Sequence, residues 1–161
     1  MFSRAINPQA FRNWRHWLAF GFGTGLATKA PGTWGTLAAV PFYCLFAYLP
    51  PLQYMVVLLV SSVLGVWLCE TVSRDLRVHD HGGIVWDEIV GYWITMLMLP
   101  FSVYWMLAGF MLFRLLDIWK PWPICWCDKN VHGGMGIMLD DILAGILACL
   151  ILHTVRLGAG L

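Results

Sequence analysis

The sequence contains few charged residues, and this scarcity excludes the commonest class of protein. Only 12% of its 161 residues are Asp, Glu, Lys or Arg, whereas 60% are hydrophobic. Water-soluble domains are about half apolar and about a quarter charged. The chain is therefore too apolar for a soluble domain and too short for several domains. These properties favour a single membrane-embedded domain over residues 1–161.

Three further absences narrow the class. The net charge is only +1, so the chain has no general attraction to nucleic acid. The five cysteines are an odd number and lie mostly within apolar segments, which argues against a disulfide framework. Only one residue separates Cys125 from Cys127, whereas zinc-binding cysteine pairs usually have two or more residues between them. The N-terminal region shows no apolar stretch followed by a small-residue cleavage site, so we expect no cleaved signal peptide.

Five apolar runs predict an all-α, polytopic membrane protein. A spanning helix needs about 20 mostly apolar residues, with about 17 as a lower limit. Proline disrupts helix interiors, and prolines follow several of the runs. The predicted spans are residues 34–49, 52–69, 84–99, 101–118 and 137–154. Residues 8–22 predict an amphipathic helix lying in the membrane interface; the alternative is a disordered tail that ends in a short hydrophobic plug.

The distribution of Lys and Arg predicts the orientation. If the N-terminus is cytoplasmic and the five spans alternate, nine of the ten basic residues lie on the cytoplasmic side. Only Arg156 lies on the opposite side, which is a strong positive-inside bias. The same orientation places five carboxylates at one cytoplasmic depth. Asp87 and Glu88 lie in the first turn of the third span, Asp140 and Asp141 in that of the fifth, and Asp117 in the last turn of the fourth.

Helix capping explains only part of this acidic pattern. A carboxylate in a first turn can cap free N–H groups and complement the helix dipole. Adjacent residues diverge by about 100° around a helix, so both members of an acidic pair cannot serve as the same cap. Asp117 lies at a C-terminus, where the dipole disfavours it. A shared cation explains more, and oxygen-only ligands favour Mg²⁺. The predicted metal ligands are Asp87, Glu88, Asp117, Asp140 and Asp141.

A Gly- and Thr-rich stretch, residues 20–41, is the second candidate for a functional element. Glycine lets backbone N–H groups approach an anion, threonine adds hydroxyl donors, and the stretch runs into a helix N-terminus. Its spacing is not that of a P-loop, and a flexible connector is the alternative interpretation. The candidate phosphate-binding residues are Thr24, Gly32, Thr33, Gly35 and Thr36. Arg114 and Lys120 flank Asp117 and are predicted either to pair with it or to bind phosphate.

Four segments together resemble the phosphatidylglycerophosphatase A family across nearly the whole chain. They are GFGTGLATKAPGTWGTLAAVP, IVWDEIVG, FRLLDIWKPWPI and GGMGIMLDDILAG. The resemblance implies a bacterial inner-membrane, Mg²⁺-dependent enzyme that removes the terminal phosphate from phosphatidylglycerophosphate. It assigns catalytic roles to Asp87, Glu88, Asp117, Lys120, Asp140 and Asp141, and phosphate contacts to the Gly-Thr stretch. His79 lies in a weaker part of the resemblance and is a candidate proton-transfer residue.

The residues leave the nucleophile and one other function class open. Water activated by a metal and an aspartyl carboxylate are both compatible with this set of side chains. The chain lacks an Asp-x-Asp-x-Thr motif, a Cys-x₅-Arg loop and the paired motifs of histidine phosphatases. A transporter would also use intramembrane carboxylates, but near the midplane rather than at one interface. An assembly subunit without chemistry gives no reason for so many acids on one side.

Overall fold

The computed structural model describes residues 13–78 and 81–160, and this part of the chain contains helices and no strand. The all-α prediction is therefore confirmed for the described residues. A 3₁₀ helix, Gly21–Leu26, lies between the first two α-helices. The α-helices in chain order are α1 (Trp14–Ala19), α2 (Pro31–Phe46), α3 (Pro51–Leu76), α4 (Trp86–Thr95), α5 (Val103–Trp119), α6 (Ile124–Asn130) and α7 (Gly133–Gly158).

Two helices of the described chain, rather than five, meet a length and apolarity criterion for crossing a membrane. They are α3 and α7, each of 26 residues. The predicted count of five spans is wrong because three of the apolar runs form shorter helices. α4 has only 10 residues, and α2 with 16 and α5 with 17 lie at the lower limit of a spanning helix. Ten residues extend about 15 Å, roughly half the thickness of a bilayer core.

The outer surface of the bundle is apolar, and polar groups lie inside it. Leu59 and Val63 on α3 and Met111 and Leu115 on α5 are all more than half exposed. By contrast, Asp141 on α7 is almost completely buried. Water-soluble proteins rarely show this much apolar surface, whereas a lipid-facing surface requires it.

Helix α7 begins earlier than the sequence predicts. The predicted start at residue 137 is wrong, since the helix extends back to Gly133. Its glycines permit this, because a Cβ on Gly134 would overlap backbone atoms of α3. Glu70 of α3 also accepts a hydrogen bond from the Gly134 N–H at 2.7 Å and satisfies one free donor of the first turn. Asp140 and Asp141 therefore lie about two turns inside the helix rather than in its first turn.

Helices α4 and α7 run side by side in close contact at two glycines. A Cβ on Gly145 would overlap the Gly91 carbonyl oxygen and lie 3.1 Å from the Ile94 Cβ. A Cβ on Gly91 would lie 2.9 Å from the Asp141 carbonyl oxygen. The Thr95 hydroxyl of α4 donates to the Gly145 carbonyl of α7 at 3.5 Å and to the Gly91 carbonyl of its own helix at 3.0 Å. Small residues permit this approach of two helices in an apolar environment.

Replacing Gly145 with Ala should destabilise the protein by about 1–3 kcal/mol, because overpacking of a filled interface costs this much. The obstacle is backbone, which cannot rotate away as a side chain can. Thermal unfolding of the detergent-solubilised protein measures the effect. Gly158→Ala in the same helix is the control, since a Cβ there meets nothing within 4 Å. Equal melting temperatures for the two variants would contradict the close packing of α4 on α7.

The N-terminal segment is attached to α3 and to the start of α4. His16 is buried and lies 3.1 Å from the Asp75 carboxylate. The Arg15 guanidinium lies 5.1 Å from the centre of the Trp67 ring. Trp14 and Trp17 remain exposed, consistent with the amphipathic pattern. Residues 8–12 of the predicted interfacial helix lie outside the described residues, and the placement of this helix in a membrane interface stays a prediction.

Candidate active site

Three carboxylates from two helices form a compact buried group. One oxygen from each of Asp87, Glu88 and Asp141 lies within 4.8 Å of the other two. Asp87 and Asp141 are only 8% and 3% exposed. The Glu88 Oε2 and Asp141 Oδ1 atoms are buried without a hydrogen-bond partner among the described residues. Buried carboxylates without such partners are unfavourable unless a cation or protons compensate their charge.

The local sequence explains why these oxygens meet. Asp87 and Glu88 lie in the first turn of α4, which begins at Trp86 after the non-helical Val85. Asp141 comes from α7, and the Gly91–Gly145 contact one turn further along brings the two helix backbones close together. The four-residue spacing from Asp87 to Gly91 and from Asp141 to Gly145 places each acid one turn before its glycine.

Helix α5 adds an arginine and a fourth acid to this group. The Arg114 Nη1 atom lies 2.5 Å from the Asp117 Oδ2 and 3.7 Å from the Glu88 Oε1. Asp117 is also a direct neighbour of the Asp141 side chain. Asp117 lies in the last turn of α5, as the sequence predicts. With all four acids ionised, one arginine leaves three negative charges in excess, which is an environment suited to a divalent cation.

Lys120, at the C-terminus of α5, links this helix to α6 and α7. The Lys120 Nζ donates hydrogen bonds to the Asp128 Oδ1 of α6 and to the Asp140 Oδ2 of α7. Lys120 caps the C-terminus of α5 in the left-handed conformation, with a φ of 47°. Partial burial lowers the pKa of Lys120, but the hydrogen bonds and charges of Asp128 and Asp140 outweigh burial and raise its pKa above the usual value. Lys120 is therefore cationic at physiological pH.

The N-terminus of α2 approaches the acidic group through Gly32. A Cβ on Gly32 would overlap the Glu88 Oε1 and lie 3.0 Å from both terminal nitrogens of Arg114. Only a glycine allows the first turn of α2 to come this close. In this first turn Pro31 has no N–H, and the Thr33 and Trp34 N–H groups donate to the Ala30 carbonyl oxygen, so the nearby Arg114 guanidinium is the group there that suits phosphate oxygens.

The other residues of the Gly-Thr stretch have different surroundings. The Thr24 and Thr36 hydroxyls donate to the carbonyl oxygens of Gly21 and Gly32, both at 2.8 Å. Gly35 packs against Val85, two residues before Asp87. Thr33 is half-buried in the first turn of α2. The phosphate-binding roles of these residues stay predictions.

The structure thus brings together most of the residues that the sequence singles out. Asp87, Glu88 and Asp141 share one group, and Arg114 with Asp117 adjoins it. Asp140 contacts Lys120 and is not a member of the three-carboxylate group. His79 lies outside the described residues, so its predicted proton-transfer role has no structural description. The metal-ligand and catalytic roles of the acids stay predictions.

Two residues at this end of the bundle are not predicted from the sequence to belong to the site. Asp128 binds Lys120, and Glu70 binds the first turn of α7. Asp128 follows Lys120 by eight residues across a turn that contains Pro121 and Pro123, so no helical spacing relates the two. Glu70 is 64 residues from Gly134 in sequence, and only tertiary packing brings them together. An acid near the end of an otherwise apolar helix was the one available signal for Glu70.

Known proteins match most of this chain in sequence. The family model described as "Phosphatidylglycerophosphatase A" matches residues 17–156. Phosphatidylglycerophosphatase A of Escherichia coli strain K12 is 54% identical over 139 residues, which cover 86% of this chain and 81% of the relative. The protein of the same name from Haemophilus influenzae is 43% identical over 143 residues, covering 88% of each chain.

A more distant relative carries a different name. It comes from Bacteroides thetaiotaomicron, is 32% identical over 144 residues, and covers 84% of this chain and 89% of its own length. Its name gives phosphatidylinositol-3-phosphatase as a provisional activity. No solved structure shows a significant match to this chain.

Proposed function

The chain belongs to the phosphatidylglycerophosphatase A family, and from this we propose that it hydrolyses the terminal phosphomonoester of phosphatidylglycerophosphate. The products are phosphatidylglycerol and inorganic phosphate. The observation that carries the proposal is the convergence of carboxylates from α4, α5 and α7 beside a guanidinium, an ammonium group and a glycine-lined helix N-terminus. Acids suited to a metal and cations suited to a phosphate then occupy one end of the bundle.

The acidic group fits Mg²⁺ as a cofactor. Mg²⁺ prefers oxygen ligands and is usually held by one or two carboxylates together with substrate phosphate. Asp87, Glu88 and Asp141 would hold it. The observation that supports this fit is that the buried Glu88 Oε2 and Asp141 Oδ1 atoms have no hydrogen-bond partner within the described part of the chain. When bound, Mg²⁺ supplies neutralisation of phosphoryl charge and lowers the pKa of a bound water. Asp117 adjoins this group, and Asp140, the neighbour of Asp141 in α7, binds Lys120.

The chain's own cations and N–H groups bind and orient the phosphate in this proposal. Arg114 presents a guanidinium already fixed by Asp117 and Glu88, so little side-chain entropy remains to be lost on binding. Lys120 has three N–H hydrogens, of which Asp128 and Asp140 engage two. The third is available to a phosphate oxygen. Preorganised donors of this kind stabilise the charge that develops on the transferred phosphoryl group.

We further propose that the enzyme is a multi-pass protein of the bacterial inner membrane with its N-terminus and acidic site on the cytoplasmic side. The excess of Lys and Arg at the acidic end supports this orientation, because among the described basic residues only Arg156, which donates to the Met98 carbonyl, lies at the opposite end. The apolar outer surface supports contact with membrane lipids. The acyl chains of the substrate would stay in the bilayer while its headgroup reaches the site.

Phosphate release by the purified protein tests the function. We expect release from phosphatidylglycerophosphate in detergent micelles with Mg²⁺, loss of release on chelation, and recovery on adding Mg²⁺ back. Phosphatidylinositol-3-phosphate, presented in the same micelles, tests headgroup preference, because one relative is named for that substrate. A protein that is folded and active on neither lipid with Mg²⁺ present would refute the proposal. Activity that survives chelation would refute the metal requirement alone.

The transporter alternative has less support. A transporter places its ionisable residues near the bilayer midplane. Asp87 and Glu88 instead lie in the first turn of α4, and Asp117 in the last turn of α5. Asp141 lies about two turns inside α7, in the N-terminal half of that helix. A site whose other acids lie at helix ends suits a substrate whose reactive group lies near the membrane surface.

A further inference from the structure

Lys120 donates hydrogen bonds to acids on two different helices, and one of these two acids has no role in the proposed chemistry. Asp140 is a buried acid of α7, 8% exposed, and belongs to the predicted catalytic residues. Asp128 comes from a different helix, α6, and its side chain is 41% exposed. The Lys120 Nζ to Asp128 Oδ1 distance is 2.5 Å. Asp128 therefore determines where the ammonium group lies without being part of the buried acidic group.

We propose that Asp128 is a positioning residue that holds the Lys120 ammonium group in place for the substrate phosphate. This inference rests on the proposed function, in which Lys120 binds phosphate. It extends the site to α6, a helix that the sequence does not predict to be part of the site.

The backbone around Lys120 explains why a second anchor is needed. Lys120 ends α5 in the left-handed conformation, beyond the last helical residue, and the chain turns at Pro121 before α6 begins. A lysine side chain has four carbons and several rotamers, so a single ion pair leaves it mobile. Asp140 alone fixes one direction. Asp128 adds a second, and the two bonds together leave the third N–H with a defined orientation.

Helix α6 is built to present Asp128 at this place. Ile124 and Cys127 are buried, so two of its residues anchor the short helix to the bundle. Trp126 and Lys129 of the same helix are exposed. Asp128 follows Cys127 directly and thus has a fixed backbone position. The anchored helix therefore fixes the backbone position from which the Asp128 carboxylate reaches Lys120.

A double-mutant cycle with Lys120 tests the proposal. In the wild-type background, we expect Asp128→Asn to lower kcat/KM about tenfold, the lower end of the losses seen when a supporting residue of a metal or catalytic group is removed. In the Lys120→Met background, the same change should alter the remaining activity by less than about twofold, because there is no ammonium group left to position. Asp128→Glu should restore part of the loss, since it keeps the carboxylate.

Three outcomes would overturn the proposal. They are equal losses from Asp128→Asn in both backgrounds, unchanged kcat/KM in Asp128→Asn, and unchanged kcat/KM in Lys120→Met. Lys129→Gln, on the exposed side of the same helix, is the control for surface charge and should remain at wild-type activity. A wild-type protein that releases phosphate while Lys120→Met is fully active refutes only the role of Lys120 and its anchor. A folded wild-type protein that releases no phosphate refutes the proposed function itself.

Discussion

We expect Asp141→Asn to lower phosphate release by about a thousandfold or more. Loss of a residue that only supports a metal ligand costs about 10–100-fold, so loss of a direct ligand should cost more. Asp141 is 3% exposed and shares its group with Asp87 and Glu88, so no surface side chain can replace it. Phosphate release at saturating Mg²⁺ and lipid measures the effect.

The thermal stability of the same variant separates loss of the metal from loss of the fold. Without metal, Asp141→Asn should unfold no earlier than the wild type, because it removes a buried charge whose Oδ1 has no partner among the described residues. Adding Mg²⁺ at 100 times its Kd should stabilise the wild type by about 2.7 kcal/mol. The variant should gain much less.

The two measurements lead to different conclusions when they fail. Near-normal phosphate release by Asp141→Asn would refute its assignment as an essential ligand. A variant that unfolds early without metal would instead show that Asp141 supports the fold. Mg²⁺ stabilisation of equal size in both proteins would place the metal elsewhere in the molecule.

Replacing Gly32 with Ala should reduce kcat/KM about a hundredfold. The added Cβ would overlap the Glu88 Oε1 and approach both terminal nitrogens of Arg114, so either these groups or the first turn of α2 must move. A shift of about 1 Å in positioned groups is enough for a hundredfold loss. Alanine favours helix formation over glycine, so the loss cannot be ascribed to a weaker α2.

The matched control for this variant is again Gly158→Ala, which adds the same methyl group at a site without neighbours within 4 Å. We expect it to retain wild-type kcat/KM. Circular dichroism should show equal helix content in both variants. Wild-type activity in Gly32→Ala would mean that the contact between α2 and the acidic group has no part in catalysis.

The unusual acids of the site were recognisable from local sequence, because this requires only residue type and position along a helix. Paired acids at the start of an apolar run are unusual enough to identify Asp87 and Glu88 without any structure. Asp117 was identifiable for the same reason, as an acid at the wrong end of a helix dipole. These arguments require only helical periodicity and the cost of charge in an apolar environment.

Helix lengths were harder to predict, because glycine and proline have different effects in different packing environments. The prolines at residues 50 and 100 separate helices, as expected, whereas Pro41 lies inside α2. The Gly-rich segment at residues 133–136 reads as a loop in sequence. In the structure it forms the first turn of α7, because α3 packs against Gly134 and Glu70 satisfies its N–H.

The sequence by itself determined that the chain is helical and apolar outside, and that its acids and its Gly-Thr segment are the unusual groups. Tertiary structure alone decided which of them meet. It placed Asp141 beside Asp87 and Glu88, and it placed Asp140 beside Lys120, which also binds Asp128. The reason is physical: the two acids of a pair point about 100° apart on their helix, so their neighbours depend on how that helix is rotated. That rotation is set by contacts between residues far apart in sequence, such as Gly91 with Gly145.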